Sequence, residues 1–357
     1  MKVKIMIEKL PLKIDIETKA ILKKSIGASR ALSKLNGVAY TIPNQNIIIN
    51  SLVLQEAKDS SEIENIITTH DEIYKSTIDT SNISQATKEV NYYAQALKKG
   101  FELVKDHELL LIKHIVQIQS ILEHNDAGIR KQSGTTLKNE ATGEVIFTPP
   151  QAEKEIRELL SNLEQYINTS DEIDPLIKMA IVHHQFESIH PFYDGNGRTG
   201  RIINILYLVL NKLLDIPILY LSRYITKNKA DYYRLLQDVR DNDNWEDWIL
   251  YILNGVEQVS YETTDLINSI NILIEETQQQ IKEQLPKIYS KDLVEVLFLH
   301  PYTKIEFLVN NNIVTTRQSA STYLKELEAI GILNSTKIGR SKFFINTKLY
   351  NLLKKGH

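Results

Sequence analysis

The feature that most restricts this chain is a polar, glycine-rich loop, His190 to Arg201, set between two apolar helical runs. Ile177 to Phe186 leads into it, and Ile202, Ile205, Leu206, Val209 and Leu213 leave it at spacings of three and four. That periodicity predicts two buried helices joined by a loop that ends on the N-terminus of the second. Gly195 and Gly197 allow a tight turn and close backbone approach to a ligand. The free N–H groups of the loop and of the new helix favour an anion there. Arg198 and Arg201, three apart on the first turn, add fixed positive charge suited to phosphate oxygens.

Two further residues complete a chemistry. Asp194 is the carboxylate of the loop and can hold Mg²⁺ beside phosphates. His190 is the group there that can take a proton near neutral pH. Taken singly, a histidine, a Gly-Asn-Gly turn or a first-turn arginine is ordinary. Together they predict a phosphate-transfer site. A competing reading gathers His183, His184, His190 and Asp194 into a hydrolytic metal cluster. Against it, His183 and His184 are adjacent, so on a helix they point about 100° apart.

The loop resembles the signature of the Fic family, His-x-Phe-x-Asp/Glu-Gly-Asn-Gly-Arg-x-x-Arg, with every defined position filled. Members of that family mostly transfer AMP from Mg-ATP to a hydroxyl side chain of a target protein. By position, the resemblance implies that His190 deprotonates the hydroxyl and Asp194 holds Mg²⁺. It implies that Gly195, Asn196 and Gly197 cradle the α- and β-phosphates with help from Arg198. Gly200 falls in the same ATP-binding stretch, and Arg201 is expected to hold the γ-phosphate.

The rest of the chain is read against that loop. Of 357 residues, 42% are hydrophobic and 24% charged, ordinary for a globular protein with room for two or three domains. There is no cysteine, which excludes a disulfide scaffold and thiolate metal sites. No run has signal-peptide or transmembrane character, so a cytoplasmic protein without membrane contact is expected. The net charge of −3 decides nothing about nucleic acid.

With only 9 prolines and 13 glycines, and long 3.6-residue periodicity, the class is mainly α. Glu17 to Leu35 reads as an amphipathic helix stopped by Gly37. Glu56 to Ile66 reads, from its residues alone, as a helix N-terminus capped by Asp59 or Ser60. The resemblance gives it another meaning. Fic proteins with an inhibitory helix carry Ser/Thr-x-x-x-Glu-Gly/Asn, which Ser60, Glu64 and Asn65 fill. There the glutamate pairs with the second signature arginine, here Arg201, and displaces the γ-phosphate. A β-hairpin is expected from Ile129–Asn139 and Gly143–Pro150, and the resemblance makes it a flap that aligns a target segment by strand addition. Asp231 to Leu236 is helical. Its tyrosines suit packing, while the resemblance puts Tyr233 against adenine.

Four segments follow: an N-terminal helical segment with the inhibitory motif (1–108), a Fic core (109–256), a helical connector (257–285) and a C-terminal unit (286–357). The last reads helix, helix, helix, hairpin, the winged helix-turn-helix pattern. It holds 11 Lys+Arg against 5 Asp+Glu, +6, leaving −9 elsewhere. Arg317, Lys325, Lys337, Arg340 and Lys342 suit DNA phosphates, but equally a solvated face on a dimerisation or target-docking module.

The expected activity is therefore autoinhibited transfer of AMP from ATP to an unknown target protein, with self-modification and a possible homodimer. The alternatives are transfer of another nucleotide or phosphate group at the same site, removal of AMP, or a nucleotide-sensing DNA-binding regulator.

Overall fold

The structure is a computed structural model, described for residues 7–78, 83–138, 142–338 and 341–355. It opens with α1 (Lys19–Ala39), α2 (Asn46–Ile63), α3 (His70–Ser76), α4 (Gln85–His107) and α5 (Ile112–Glu123). A two-stranded antiparallel ribbon follows, β1 (Leu137–Lys138) and β2 (Val145–Phe147). Then come α6 (Glu153–Asn168), α7 (Pro175–Ile189), α8 (Asn196–Leu210), α9 (Ser222–Lys227), α10 (Lys229–Asn242) and α11 (Trp245–Gln284). The C-terminal part is α12 (Lys291–Leu299), β3 (Tyr302–Thr303), α13 (Ile305–Asn310), α14 (Arg317–Ala329), β4 (Asn334–Ile338), β5 (Ser341–Ile345) and α15 (Thr347–Lys355). Its three strands pair antiparallel in the order β3-β5-β4.

α7 is the centre of the molecule. Every residue from Leu176 to Ile189 is buried, so it has no solvent face and must be packed on all sides. Pro175 at its first position and Asp174, whose carboxylate accepts the Leu176 N–H at 2.8 Å, fix where it starts. α8 lies against it and is buried from Arg198 to Val209. The loop between these two helices is thereby held on both sides by core.

Two expected boundaries move. Gly37 does not stop α1, which runs to Ala39. α1 lies along α11, and burial of Ala39 and Ile42 outweighs the roughly 1 kcal/mol that a helical glycine costs. Nor is there a break near Gly255. α11 is one helix of 40 residues, and a Cβ on Gly255 would lie 2.7 Å from Leu221 and Tyr224. That glycine is a packing contact, and 245–256 and 257–285 form one rod.

Among the described residues the pairing of the hairpin is confined to β1 and β2, less than its sequence bounds. Side chains rather than a ladder secure its base. Gln151 accepts the Gly134 N–H at 2.6 Å and donates to Thr135 and Pro149 carbonyls at 3.0 and 2.6 Å. The tip at 139–141 lies outside the described residues, as do 339–340 and with them Arg340. Of the other C-terminal basic residues, Arg317 pairs with Glu306 at 2.7 Å and Lys342 with Glu328 at 3.2 Å. Lys325 and Lys337 are exposed. No helix of the described residues is long and apolar enough to cross a membrane.

Candidate active site

α7 ends on His190, whose backbone is left-handed (φ 48°) and whose N–H reaches the Phe186 carbonyl at 3.0 Å. A helix C-terminus leaves carbonyls without partners. Here Arg130, fully buried, supplies them: its Nε donates to His190 O at 2.7 Å, and another guanidinium nitrogen to Ile189 O at 3.4 Å and to Pro150 O. Its backbone N–H donates to Pro191 O at 2.9 Å. Burial, together with Arg130 and Arg240, pushes the His190 imidazole down to about 4, with the Glu187 backbone opposing. The ring is therefore neutral at pH 7, the state a proton acceptor needs.

The loop closes on itself through Asn196. Its Oδ1 accepts the Phe192 N–H at 2.8 Å and its Nδ2 donates to Phe192 O at 2.9 Å. The amide is spent on loop geometry, so what Asn196 offers a phosphate is backbone. Gly195 takes φ 73°, and a Cβ there would lie 2.2 Å from the Glu123 carboxylate. Its N–H donates to Asp194 Oδ1 at 2.7 Å. Asp194 itself is exposed, and its carbonyl accepts from Gln119 at 3.2 Å.

Arg198 and Arg201 are each 3% exposed. Arg201 donates from Nε to Ser60 Oγ at 2.7 Å and from Nη2 to Ser60 O at 2.9 Å and Glu64 Oε1 at 2.7 Å. Burial works against its charge, but Glu64, Tyr232, Tyr93 and Glu187 together raise its pKa. The other oxygen of Glu64 lies 2.9 Å from Arg198 Nε. One carboxylate thus spans both arginines. Two more reach Arg198: Glu123 from the end of α5 at 2.9 Å and Glu89 from α4 at 3.3 Å. Burial pushes the Glu123 carboxyl up to about 7, Arg198 opposing and Asp194 adding to the rise.

The stretch from Ser60 to Asn65 is the C-terminal end of α2, not the N-terminus that its residues alone suggested. Glu64 is the cap, and Asn65 follows with φ 61°. The Asn65 and Ile66 N–H groups fold back onto Glu62 O and Ser61 O, each at 3.0 Å. An asparagine after the cap is one of few residues that tolerate this left-handed turn. A carboxylate is disfavoured at the negative end of a helix, so Glu64 sits there at a cost that the two arginines offset.

Two other expected site residues have these surroundings. Gly200 faces α7, where a Cβ would lie 2.6 Å from Glu187 and 3.2 Å from Phe186, so its role is to let α7 and α8 approach. Tyr233 stands 47% exposed on α10, its ring edge-on to Tyr232 at 5.2 Å. The metal cluster does not form. His183 Nε2 lies 2.8 Å from the Tyr232 hydroxyl and its ring stacks on Trp248, while His184 Nε2 lies 3.2 Å from Leu236 O. Both are core residues, and among the described residues no group of three or more His, Asp or Glu is placed to hold a metal.

No spacing in the chain signals Arg130, Arg240, Glu89 or Glu123. Arg240, half-buried and with its pKa pushed down to about 10 by desolvation, donates to Ser188 at 3.0 Å and lies 4.1 Å over the Phe147 ring, which anchors β2. Arg130→Met keeps the bulk but leaves carbonyls without donors. It is expected to cost about 3 kcal/mol of stability, read as a lowered urea midpoint. An unchanged midpoint would show that water satisfies this turn.

The N-terminal residues 22–102 match a family model described as Fic/DOC family N-terminal, and 273–349 match the C-terminal domain of protein adenylyltransferase SoFic-like proteins. The loop from His190 to Arg201 lies between the two matched stretches. A probable protein adenylyltransferase of Aquifex aeolicus is 25% identical over 275 residues, covering 74% of this chain and 78% of the relative. The protein adenylyltransferase Fic of Drosophila willistoni is 27% identical over 156 residues, 41% of this chain but only 29% of that longer protein. A Fic family protein from Desulfovibrio desulfuricans superposes with a TM-score of 0.60 at 18% identity, over 95% of this chain and 98% of that one. Fic-1 from C. elegans gives 0.54 at 18%, over 70% and 73%. Loop, flanking helices and relatives agree in likeness, and the chain is similar to the Fic family of protein adenylyltransferases.

Proposed function

We propose that this chain transfers AMP from Mg-ATP to a hydroxyl side chain of a target protein, itself included, and that Glu64 restrains it. The observation that supports this best is the carboxylate of Glu64 shared between Arg198 and Arg201, across the loop that begins at His190. The hydroxyl oxygen would attack the α-phosphorus, its proton passing to the neutral His190 ring. The bond from that phosphorus to the bridging oxygen breaks, and pyrophosphate leaves with the electron pair. Loop backbone and the two arginines hold the phosphates in line, so the rate comes chiefly from positioning and charge stabilisation. The hairpin β1–β2, with Val145 and Ile146 exposed, is the edge on which an extended target segment would lie. Tyr233 offers a ring face to the base.

Asp194 suits Mg²⁺. It is exposed, one oxygen is oriented by the Gly195 N–H, and a single carboxylate completed by phosphates and water is the usual habit of this ion. When bound, the ion neutralises phosphate charge. Asp194→Ala should therefore raise the Mg²⁺ needed for half-maximal transfer by on the order of tenfold or more, as loss of a supporting carboxylate does. An unaltered Mg²⁺ dependence would remove Asp194 from this role.

The test of the reaction is label transfer from ATP carrying label at either the α- or the γ-phosphorus, with GTP, CTP and UTP in parallel. AMP transfer predicts protein-bound α-label, no γ-label, and release of pyrophosphate. Protein-bound γ-label would make the chain a kinase instead.

A further inference from the structure

We propose that Glu123, assisted by Glu89, competes with the nucleotide's diphosphate for Arg198 and so sets nucleotide affinity separately from Glu64. This rests on the adenylyl-transfer reading above. Each guanidinium nitrogen of Arg198 faces a different carboxylate: Nε faces Glu64 at 2.9 Å, Nη1 faces Glu89 at 3.3 Å, and Nη2 faces Glu123 at 2.9 Å. No edge of the group is left for a phosphate.

An arginine grips a phosphate with two nitrogens, from its side (Nε with Nη2) or its end (Nη1 with Nη2). Both grips use Nη2, the nitrogen that Glu123 holds. Withdrawing Glu64 uncovers Nε alone. Glu123 also lies on the loop itself, since its carboxylate occupies the space a Cβ on Gly195 would fill. It therefore crowds the backbone nest as well as the arginine.

The two helices repeat one device. Glu64 caps α2 and Glu123 is the last residue of α5, so each carboxylate stands at a negative helix end, where it is disfavoured without a cation. Both meet the same arginine. Glu64 comes from the N-terminal part of the chain, at the end of α2. Glu123 is followed directly by the turn that leads to Arg130, and stays with the loop.

Calorimetric titration of Mg-ADP and of adenosine into Glu64→Gly, Glu64→Gly with Glu123→Gln, and Glu64→Gly with Glu123→Asp tests the proposal. The glutamine double variant should bind ADP on the order of tenfold more tightly than Glu64→Gly, the effect of releasing one charge-assisted bond. Its adenosine affinity should not change, and the aspartate variant, which keeps the charge, should stay near Glu64→Gly. Unchanged or weaker ADP binding in a glutamine variant with an undisturbed melting temperature overturns the proposal, and weaker binding would make Glu123 a residue that orients Arg198. If Glu64→Gly binds neither ADP nor adenosine, the adenylyl-transfer reading falls along with it.

Discussion

Replacing Glu64 with glycine is expected to raise AMP transfer, self-modification included, by roughly ten- to a hundredfold. Arg201 has Ser60 on one side and Glu64 on the other, in a site where it is 3% exposed. A γ-phosphate that takes the place of Glu64 must displace a charge-assisted contact worth about 1.5–3 kcal/mol net. Each 1.4 kcal/mol is about tenfold in an equilibrium, which sets the range. Glycine costs little where Glu64 stands, because the residue caps α2 rather than lying inside it. Label incorporation should be compared among wild type, Glu64→Gly, and Glu64→Gly with Arg201→Ala at equal concentration. The last should be inactive, since the proposed mechanism has the same arginine hold the nucleotide. A folded Glu64→Gly no more active than wild type would mean that Glu64 does not restrain the enzyme.

His190→Ala should have the larger effect, a loss of about 10²–10⁴-fold in transfer with nucleotide binding largely kept. Asn196 and Arg130 hold the loop through its backbone atoms, with no bond from either to the His190 ring. The variant should therefore fold, and near wild-type transfer would rule out His190 as the base. A second measurement reads its environment directly. With its pKa pushed down to about 4 by burial and by Arg130 and Arg240, the ring should not titrate in NMR spectra between pH 8 and pH 5. A midpoint near 6.5 would place the imidazole in water instead.

The sequence by itself determined the class, the pair of buried helices and the residue types that the loop between them carries. These are local properties. Period 3.6 follows from helix geometry, and residues within one turn stay neighbours in any fold that keeps it. The same locality explains why the helix end at Gly37 and the boundary after residue 256 misled. A glycine stops a helix only where the helix lacks packing partners, and α1 packs along α11, which packs also on α9. It also explains why Glu56 to Ile66 showed acid near a helix end without showing which end. Only the tertiary structure decided what faces Arg198 and Arg201. Glu64, Glu89 and Glu123 come from three helices, and neither spacing nor composition places three carboxylates on one guanidinium. Arg130 likewise reaches the carbonyl of His190 from 60 positions away. A buried cation must find its partners wherever the packed helices set them, and that is a property of the packing.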